Sequence, residues 1–160
     1  MTIGLSSPSL DTLVETRVET GKAIDFHYQS MEISEASGDK QGIVNSLGGL
    51  SNAYYSLGNH QKAIEFHLQH NELAQAIGNK KGIANSFLNL GAALGKIDEH
   101  FNSLQNYIKA KEIYEDLKLD NDVEDCNNAI RNCNQTIAAQ RRTSPPLDNG
   151  YKSKPNYKKR

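Results

Sequence analysis

One segment of the chain occurs twice, and this repetition limits the possible folds more than any other feature. Residues 21–46 (GKAIDFHYQSMEISEASGDKQGIVNS) return as residues 61–86 (QKAIEFHLQHNELAQAIGNKKGIANS), with 14 of 26 positions identical. Ordinary composition would give about one match in twenty. A period of about 20–50 residues indicates stacked units that each pack against their neighbours. We therefore expect a helical repeat array, a class whose members mostly bind other proteins.

The apolar residues follow a helical spacing that is interrupted at short turns. One stripe consists of Ile43, Leu47, Leu50, Tyr54 and Leu57, and it returns one repeat later as Ile83, Phe87, Leu90, Leu94 and Ile97. Steps of three and four residues place such a set on one face of a helix. Glycines at positions 38, 58 and 78 can end helices in a left-handed conformation. The pattern predicts an all-α chain of about seven helices.

The first 19 residues fit the period least well. Pro8 does not suit a helix interior, so we expect an irregular segment over 1–19 with a short helix from about Ser9 to Val18. A second helix is predicted from about Gly21 to Ala36. The repeat array itself is predicted to span residues 20–138.

The C-terminal part of the chain changes in both apolar content and charge. The last predicted helix, about Asn121 to Ala138, has Asn127 and Asn134 where earlier units have large apolar residues, which is typical of a terminal capping helix. Residues 139–160 contain seven Lys or Arg and one Asp, a charge of +6 against −7 for the rest of the chain. We expect this segment to be a disordered basic tail.

Several short motifs give the unit a family resemblance. They are Asn89-Leu90-Gly91 followed by Leu94, the turn at Leu57-Gly58, and the run KAIEFH at residues 62–67. The unit resembles a tetratricopeptide repeat in its longer form, similar to those of the G-protein signalling modulator and kinesin light chain groups and of bacterial multi-repeat proteins. The resemblance implies two antiparallel helices per unit, stacked into a right-handed superhelix that acts as a scaffold.

The resemblance also implies that the first helix of each unit lines a concave, peptide-binding groove. The candidate contact residues are Asn45, Gly49, Asn52, Tyr55, Asn85, Leu88, Asn89, Lys96 and Asn128. The same face carries Gly48, Ser56, Ala92, Asp125 and Asn132. An asparagine amide can both donate to and accept from the backbone of an extended peptide. The alternative is that these asparagines only occupy a solvated face.

One binding mode of the family is disfavoured. Domains that hold a C-terminal carboxylate use basic residues at positions that correspond here to Gly48, Asp125 and Ala129, although Asn52 and Asn89 agree. We therefore do not expect a carboxylate clamp.

The sequence contains no motif that indicates catalysis. His67 and His70 are three residues apart, but no Cys or carboxylate joins them at metal-ligand spacing, so we expect no metal, no cofactor and no enzymatic activity. Cys126 and Cys133 would lie about 10 Å apart along a helix, beyond disulfide reach, and are expected to be buried thiols. The N-terminus lacks a signal-peptide pattern and no apolar run is long enough to span a membrane, so we expect a cytoplasmic protein.

Three functional hypotheses remain. The first is an adaptor that binds a peptide or protein segment in the groove. The second is an assembly module, or part of a larger repeat protein, in which the poorly covered face of the helix over 21–36 packs on another chain. The third is weak binding of RNA or an anionic surface by the basic tail.

Overall fold

The computed structural model describes residues 10–143, which form six helices joined by short turns and contain no strand. The helices are α1 (Leu10–Ser37), α2 (Lys40–Ser56), α3 (His60–Ala76), α4 (Lys80–Lys96), α5 (His100–Asp116) and α6 (Asp120–Thr143). Each helix packs against the next one in the chain, and α2 also contacts α4. The predicted all-α helix-pair array is confirmed.

The turns between helices recur at a constant spacing along the chain. Each contains one residue with a positive φ: Gly38 (73°), Gly58 (76°), Gly78 (70°), Asp98 (63°) and Lys118 (57°). Glycine adopts this conformation without a steric penalty, whereas a residue with a Cβ does so at a cost. The even spacing makes α2, α3, α4 and α5 equal in length, at 17 residues each.

The N-terminal region differs from the sequence-based expectation, because α1 is one helix of 28 residues. The predicted separate helices, Ser9 to Val18 and Gly21 to Ala36, are therefore joined. If the turn spacing is continued backwards from Gly38, it reaches Val18, and a β-branched side chain strongly disfavours a positive φ. Gly21 alone costs a helix only about 1 kcal/mol. The described residues accordingly have six helices instead of about seven, and residues 1–9 lie outside the described part.

Three helices begin with the same capping contact. The side chains of Asp39, Asn59 and Asn79 each accept a hydrogen bond from the backbone N–H three residues later, at 3.0, 3.1 and 2.8 Å. Such a cap stabilises a helix by about 1 kcal/mol. Glu99, which precedes α5, makes no side-chain cap. The repeated polar residue after each turn thus fixes where α2, α3 and α4 start.

Small residues allow the helices to approach closely. A Cβ placed on Gly91 would lie 2.8 Å from Cε1 of Tyr107 and 3.1 Å from the backbone oxygen of Ser103. The Ser103 hydroxyl donates to the Gly91 carbonyl at 2.7 Å, which links α5 to α4. Ala63 is fully buried in the cluster that joins α2, α3 and α4. These contacts set the spacing of the array.

The last helix covers the end of the array with one side only. Cys126 and Cys133 are buried and form no disulfide, whereas Asn134 is exposed. The helix continues to Thr143, so residues 139–143 are helical although the tail was predicted to start there. Residues 144–160, which hold most of the predicted basic tail, lie outside the described part. Within residues 10–143 no helix has the length and apolarity needed to cross a membrane.

Candidate functional site

Three clefts lie side by side along the face formed by α2, α4 and α6. The first, of about 420 Å³, lies between α1 and α2; the middle one, of about 90 Å³, between α2 and α4; the third, of about 320 Å³, between α4 and α6. Asn52 lines the first and middle clefts, while Tyr55 and Ala92 line both the middle and the third. The shared residues make the three clefts one groove.

One position of the repeat, on the odd-numbered helices, lines all three clefts. His27 of α1 lines the first cleft, His67 of α3 the middle one and Tyr107 of α5 the third. The equivalence of these positions in the repeat is visible in the sequence, but only the structure places them in the groove.

The first cleft depends on a missing side chain. A Cβ on Gly49 would lie 2.2 Å from Cε1 of His27, closer than real Cβ contacts allow. The equivalent positions in later units are Asn89 and Ala129. Glycine at position 49 therefore lets an imidazole ring lie directly against α2.

His67 in the middle cleft is almost completely buried, with 1% of its surface exposed. Its Nδ1 atom has no hydrogen-bond partner among the described residues, and the same holds for Nδ1 of the nearby buried His70. An unpaired buried polar atom costs about 1–3 kcal/mol. Burial, and to a smaller extent the neighbouring His70, lowers the pKa of His67 from 6.5 to about 4. Burial also lowers the pKa of His70. His67 is therefore neutral at pH 7.

The third cleft has a phenol in the equivalent place. Burial raises the pKa of Tyr107 above its usual value of 10, so its hydroxyl is protonated at neutral pH. The α6 side of this cleft contributes Ala129 and Asn132, and α4 contributes Lys96. At the open edge of this cleft Lys96 and Asn132 are exposed.

The repeat pattern of these helices corresponds to a known family. A family model described as tetratricopeptide repeat matches residues 19–76, which cover most of α1 and all of α2 and α3. Residues 19–76 are therefore a region of tetratricopeptide repeats. Such repeats are generally protein–protein interaction modules and typically form non-enzymatic scaffolds. A comparison with curated proteins gives no significant match.

Five of the predicted contact residues line the groove: Gly49, Asn52, Tyr55, Asn89 and Lys96. Of the neighbouring positions, Ser56, Ala92 and Asn132 line it as well. The side-chain amides of Asn52, Asn89 and Asn132 make no hydrogen bond within residues 10–143. The groove therefore presents three amides with open donors and acceptors, one from each of α2, α4 and α6.

Two predicted residues of α4 have contacts inside the repeat array. The Tyr114 hydroxyl of α5 donates to Oδ1 of Asn85 at 2.6 Å. Leu88 packs against the core cluster that contains Tyr114 and Cys126. These residues join α4 to the helices that follow it, and neither lines the three clefts.

Two other predicted asparagines bond within their own helices. Asn45 accepts from Nε2 of Gln41 at 3.0 Å, and Asn128 accepts from an Nη1 atom of Arg131 at 3.4 Å. Neither lines the three clefts. A Cβ placed on Gly48 would lie 3.9 Å from the imidazole of His70. Asp125 is exposed and lies outside the three clefts.

The described residues contain no group of three or more His, Cys, Asp or Glu side chains placed to hold a metal ion. His67 and His70 share a helix, but only His67 lines a cleft. The groove mainly presents neutral donors and acceptors, with Glu19 as a charged residue in the first cleft and Lys96 in the third.

Proposed function

We propose that this tetratricopeptide repeat chain is an adaptor that binds an extended peptide or protein segment in the groove of α2, α4 and α6. The observation that carries the proposal is the series of three amides, Asn52, Asn89 and Asn132, that have no partner within the described residues. A carboxamide can accept from a backbone N–H and donate to a backbone C=O. Three of them in a row suit a peptide backbone irrespective of its side chains.

The dimensions of the groove agree with an extended segment. A peptide in a β conformation advances about 3.3 Å per residue, so a segment of several residues is needed to pass from α2 across α4 to α6. A short extended segment of this kind can bind by backbone hydrogen bonds.

The expected affinity is moderate. Hydrogen bonds contribute about 0.5–1.5 kcal/mol each, so three amides would supply about 2–5 kcal/mol of the roughly 8 kcal/mol that micromolar binding requires. The remainder must come from side chains of the segment that enter the three clefts. The groove has only scattered charges, Glu19 at one end and Lys96 near the other, which does not favour a terminal carboxylate as the main anchor.

The test compares two triple variants. Asn52→Ala/Asn89→Ala/Asn132→Ala removes the open amides, whereas Asn45→Ala/Asn106→Ala/Asn128→Ala removes amides that bond within their own helices. Affinity purification with mass spectrometry should recover the same partners with the wild type and the control, and lose them with the groove variant. Equal circular dichroism spectra would show that both variants fold. Partners retained by the folded groove variant would refute the proposal.

A second function, self-association, is favoured by a specific feature of α1. Phe26 and Ile33 are 66% and 70% exposed. The residue equivalent to Phe26 one repeat later is Phe66, which is 9% exposed because residues of α2 and α1 pack against it. Within the described residues α1 packs mainly against α2, and its Tyr28 also contacts Phe66 of α3. The exposed Phe26 and Ile33 mark the side of α1 that no described helix covers.

A second copy of the chain suits this face. If two α1 helices pair antiparallel about a two-fold axis near Ala23, Lys22 of each copy meets Asp25 of the other, and Phe26 meets Gly21. The exposed side chains of Val14 and Ile33 would also meet across the axis. Because the contact is two-fold symmetric, each pair of residues that meets across the axis occurs twice.

Sedimentation velocity over a range of concentrations tests the dimer. The wild type should shift towards a dimer as the concentration rises, and Phe26→Ser/Ile33→Ser should shift less. Leu68→Ser is the matched control, because Leu68 is an exposed apolar residue of α3 away from α1. A wild type that remains monomeric at its highest soluble concentration would exclude self-association.

A further inference from the structure

Two phenols and a lysine meet where α1, α2 and α3 come together, outside the three clefts. Tyr28 of α1 and Tyr54 of α2 bring their hydroxyl oxygens within 3.4 Å of each other, at an exposed contact. The ammonium of Lys62 in α3 donates a hydrogen bond to the Tyr54 oxygen at 2.8 Å. Each of the three helices thus contributes one side chain to a cluster that is centred on the oxygen of Tyr54.

Aromatic contacts hold the Tyr54 ring in place. The ring stacks on Phe66 of α3, with 5.5 Å between the ring centroids and 6° between the planes. The Lys62 ammonium lies 4.2 Å from the centroid of the Tyr54 ring, and Tyr28 meets Phe66 edge-on at a centroid distance of 6.2 Å. The ring and the donors to its oxygen are therefore positioned in advance, which is how a protein stabilises a charge that develops in a reaction.

The cluster favours the charged form of one phenol. The hydrogen bond from Lys62, and after it the one from Tyr28, lowers the pKa of Tyr54 below its usual value of 10. Partial burial and the Asp25 carboxylate act in the opposite direction with smaller effect. The hydrogen bond to Tyr54 raises the pKa of Tyr28 and likewise that of Lys62, so both neighbours keep the protons that they donate.

We propose that Tyr54 is a modification site, whose phenol oxygen is the nucleophile that accepts a sulfonyl or acyl group from an activated donor. The phenol first loses its proton to water. The phenolate oxygen then attacks the sulfonyl sulfur or the acyl carbon and forms a new bond to it, and the leaving group departs with the electron pair of the bond that breaks. Lys62 and Tyr28 stabilise the phenolate by hydrogen bonds. Because Tyr54 lines none of the three clefts, the site does not depend on the proposed function of the groove.

The described tyrosines outside the cluster do not have this arrangement. Burial raises the pKa of Tyr107 and of Tyr114. Tyr55 gives the closest comparison, because it follows Tyr54 in α2 and is likewise partly buried. Its ring contacts the imidazole of His60, at 5.1 Å between centroids, instead of a lysine. Tyr54 and Tyr55 therefore differ mainly in the ammonium on the Tyr54 oxygen.

An arylsulfonyl fluoride tests the proposal, because it transfers its sulfonyl group to a phenolate and releases fluoride. The full chain is treated at neutral pH, and peptide mass spectrometry follows the rate of labelling at each tyrosine. Tyr54 should react about three- to tenfold faster than Tyr55, the effect of a hydrogen bond from a charged donor after allowance for the weaker nucleophilicity of a stabilised anion. In concentrated urea, which disperses the cluster, the two residues should react at equal rates.

Two variants identify the group responsible. Lys62→Met removes the ammonium but keeps the length of the side chain, so the Tyr54 rate should fall to that of Tyr55. Lys109→Met is the matched control, because Lys109 lies 5.3 Å from the ring centroid of Phe87, which has no hydroxyl, and the Tyr54 rate should not change. Equal rates of Tyr54 and Tyr55 in the native wild type would overturn the proposal, as would an unchanged Tyr54 rate in folded Lys62→Met. If Lys62→Met does not fold, the comparison of native and urea-treated wild type decides.

Discussion

Acidification below pH 7 should destabilise the repeat array, because His67 is buried in its neutral form. Burial lowers its pKa from 6.5 to about 4. The unfolded chain takes up a proton near pH 6.5, whereas the folded chain takes it up only near pH 4. In this window the unfolded state binds more protons, so the free energy of unfolding decreases as the pH decreases.

The size of the effect follows from the two pKa values. One pH unit corresponds to about 1.4 kcal/mol, so the full loss from His67 between pH 7.5 and pH 4 is about 3 kcal/mol, and about 2 kcal/mol of it has occurred at pH 5. Burial lowers the pKa of His70 as well, and its contribution has the same sign. Natural domains have a total stability of about 5–15 kcal/mol. A loss of this size is therefore a substantial part of the whole.

Urea denaturation followed by circular dichroism at pH 7.5, 6 and 5 measures this dependence. Between pH 7.5 and pH 5 the free energy of unfolding should decrease by about 2 kcal/mol less in His67→Gln than in the wild type, because the substitution removes the group that titrates. Val44→Ala is the control: Val44 is buried but cannot titrate, so this variant should be less stable at every pH with the wild-type slope. If His67→Gln folds and its free energy of unfolding depends on pH as strongly as that of the wild type, the reasoning is refuted.

Two further predictions concern the backbone. Gly49→Ala should destabilise the fold by about 1–3 kcal/mol in urea denaturation, since its Cβ would clash with His27. Gly21→Ala should stabilise α1 by up to about 1 kcal/mol, because its Cβ would meet no neighbouring group within 4 Å. Equal effects of the two variants would contradict this prediction. Asp98→Gly should raise the midpoint of thermal unfolding, because Asp98 has a φ of 63° that glycine adopts without a steric penalty. An unchanged or lower midpoint would show that the turn imposes no such cost.

The helical architecture could be predicted from the sequence because its determinants are local and repeated. Apolar spacing, turn glycines and the polar residue after each turn all have a fixed place in the repeat. The prediction was wrong where one residue broke the period. Val18 occupies the place of a turn glycine, and α1 therefore continues through the expected break.

The binding residues were harder to predict because repeated residues can have different contacts. Asn45 and Asn85 are equivalent in sequence, yet Asn85 accepts a hydrogen bond from Tyr114, whereas Asn45 bonds to Gln41. The residue equivalent to Tyr114 one repeat earlier is Ala74, which has no hydroxyl to offer. The environment of an asparagine thus depends on a residue of the following helix, and inspection of a single helix cannot reveal it.

The three clefts show how one repeat can produce a groove that is not repetitive. The position that carries His27, His67 and Tyr107 always lies behind the groove, and the facing position carries Gly49, Asn89 and Ala129. Both sets of residues lie in helices that pack in the same order in each unit, and the residues at both positions differ from one unit to the next. The first, middle and third clefts accordingly differ in volume, at about 420, 90 and 320 Å³, although each lies between helices of the same repeat pattern. A partner that contacts all three clefts would therefore bind in one register only, because each shift by one unit would place its side chains against the wrong cleft.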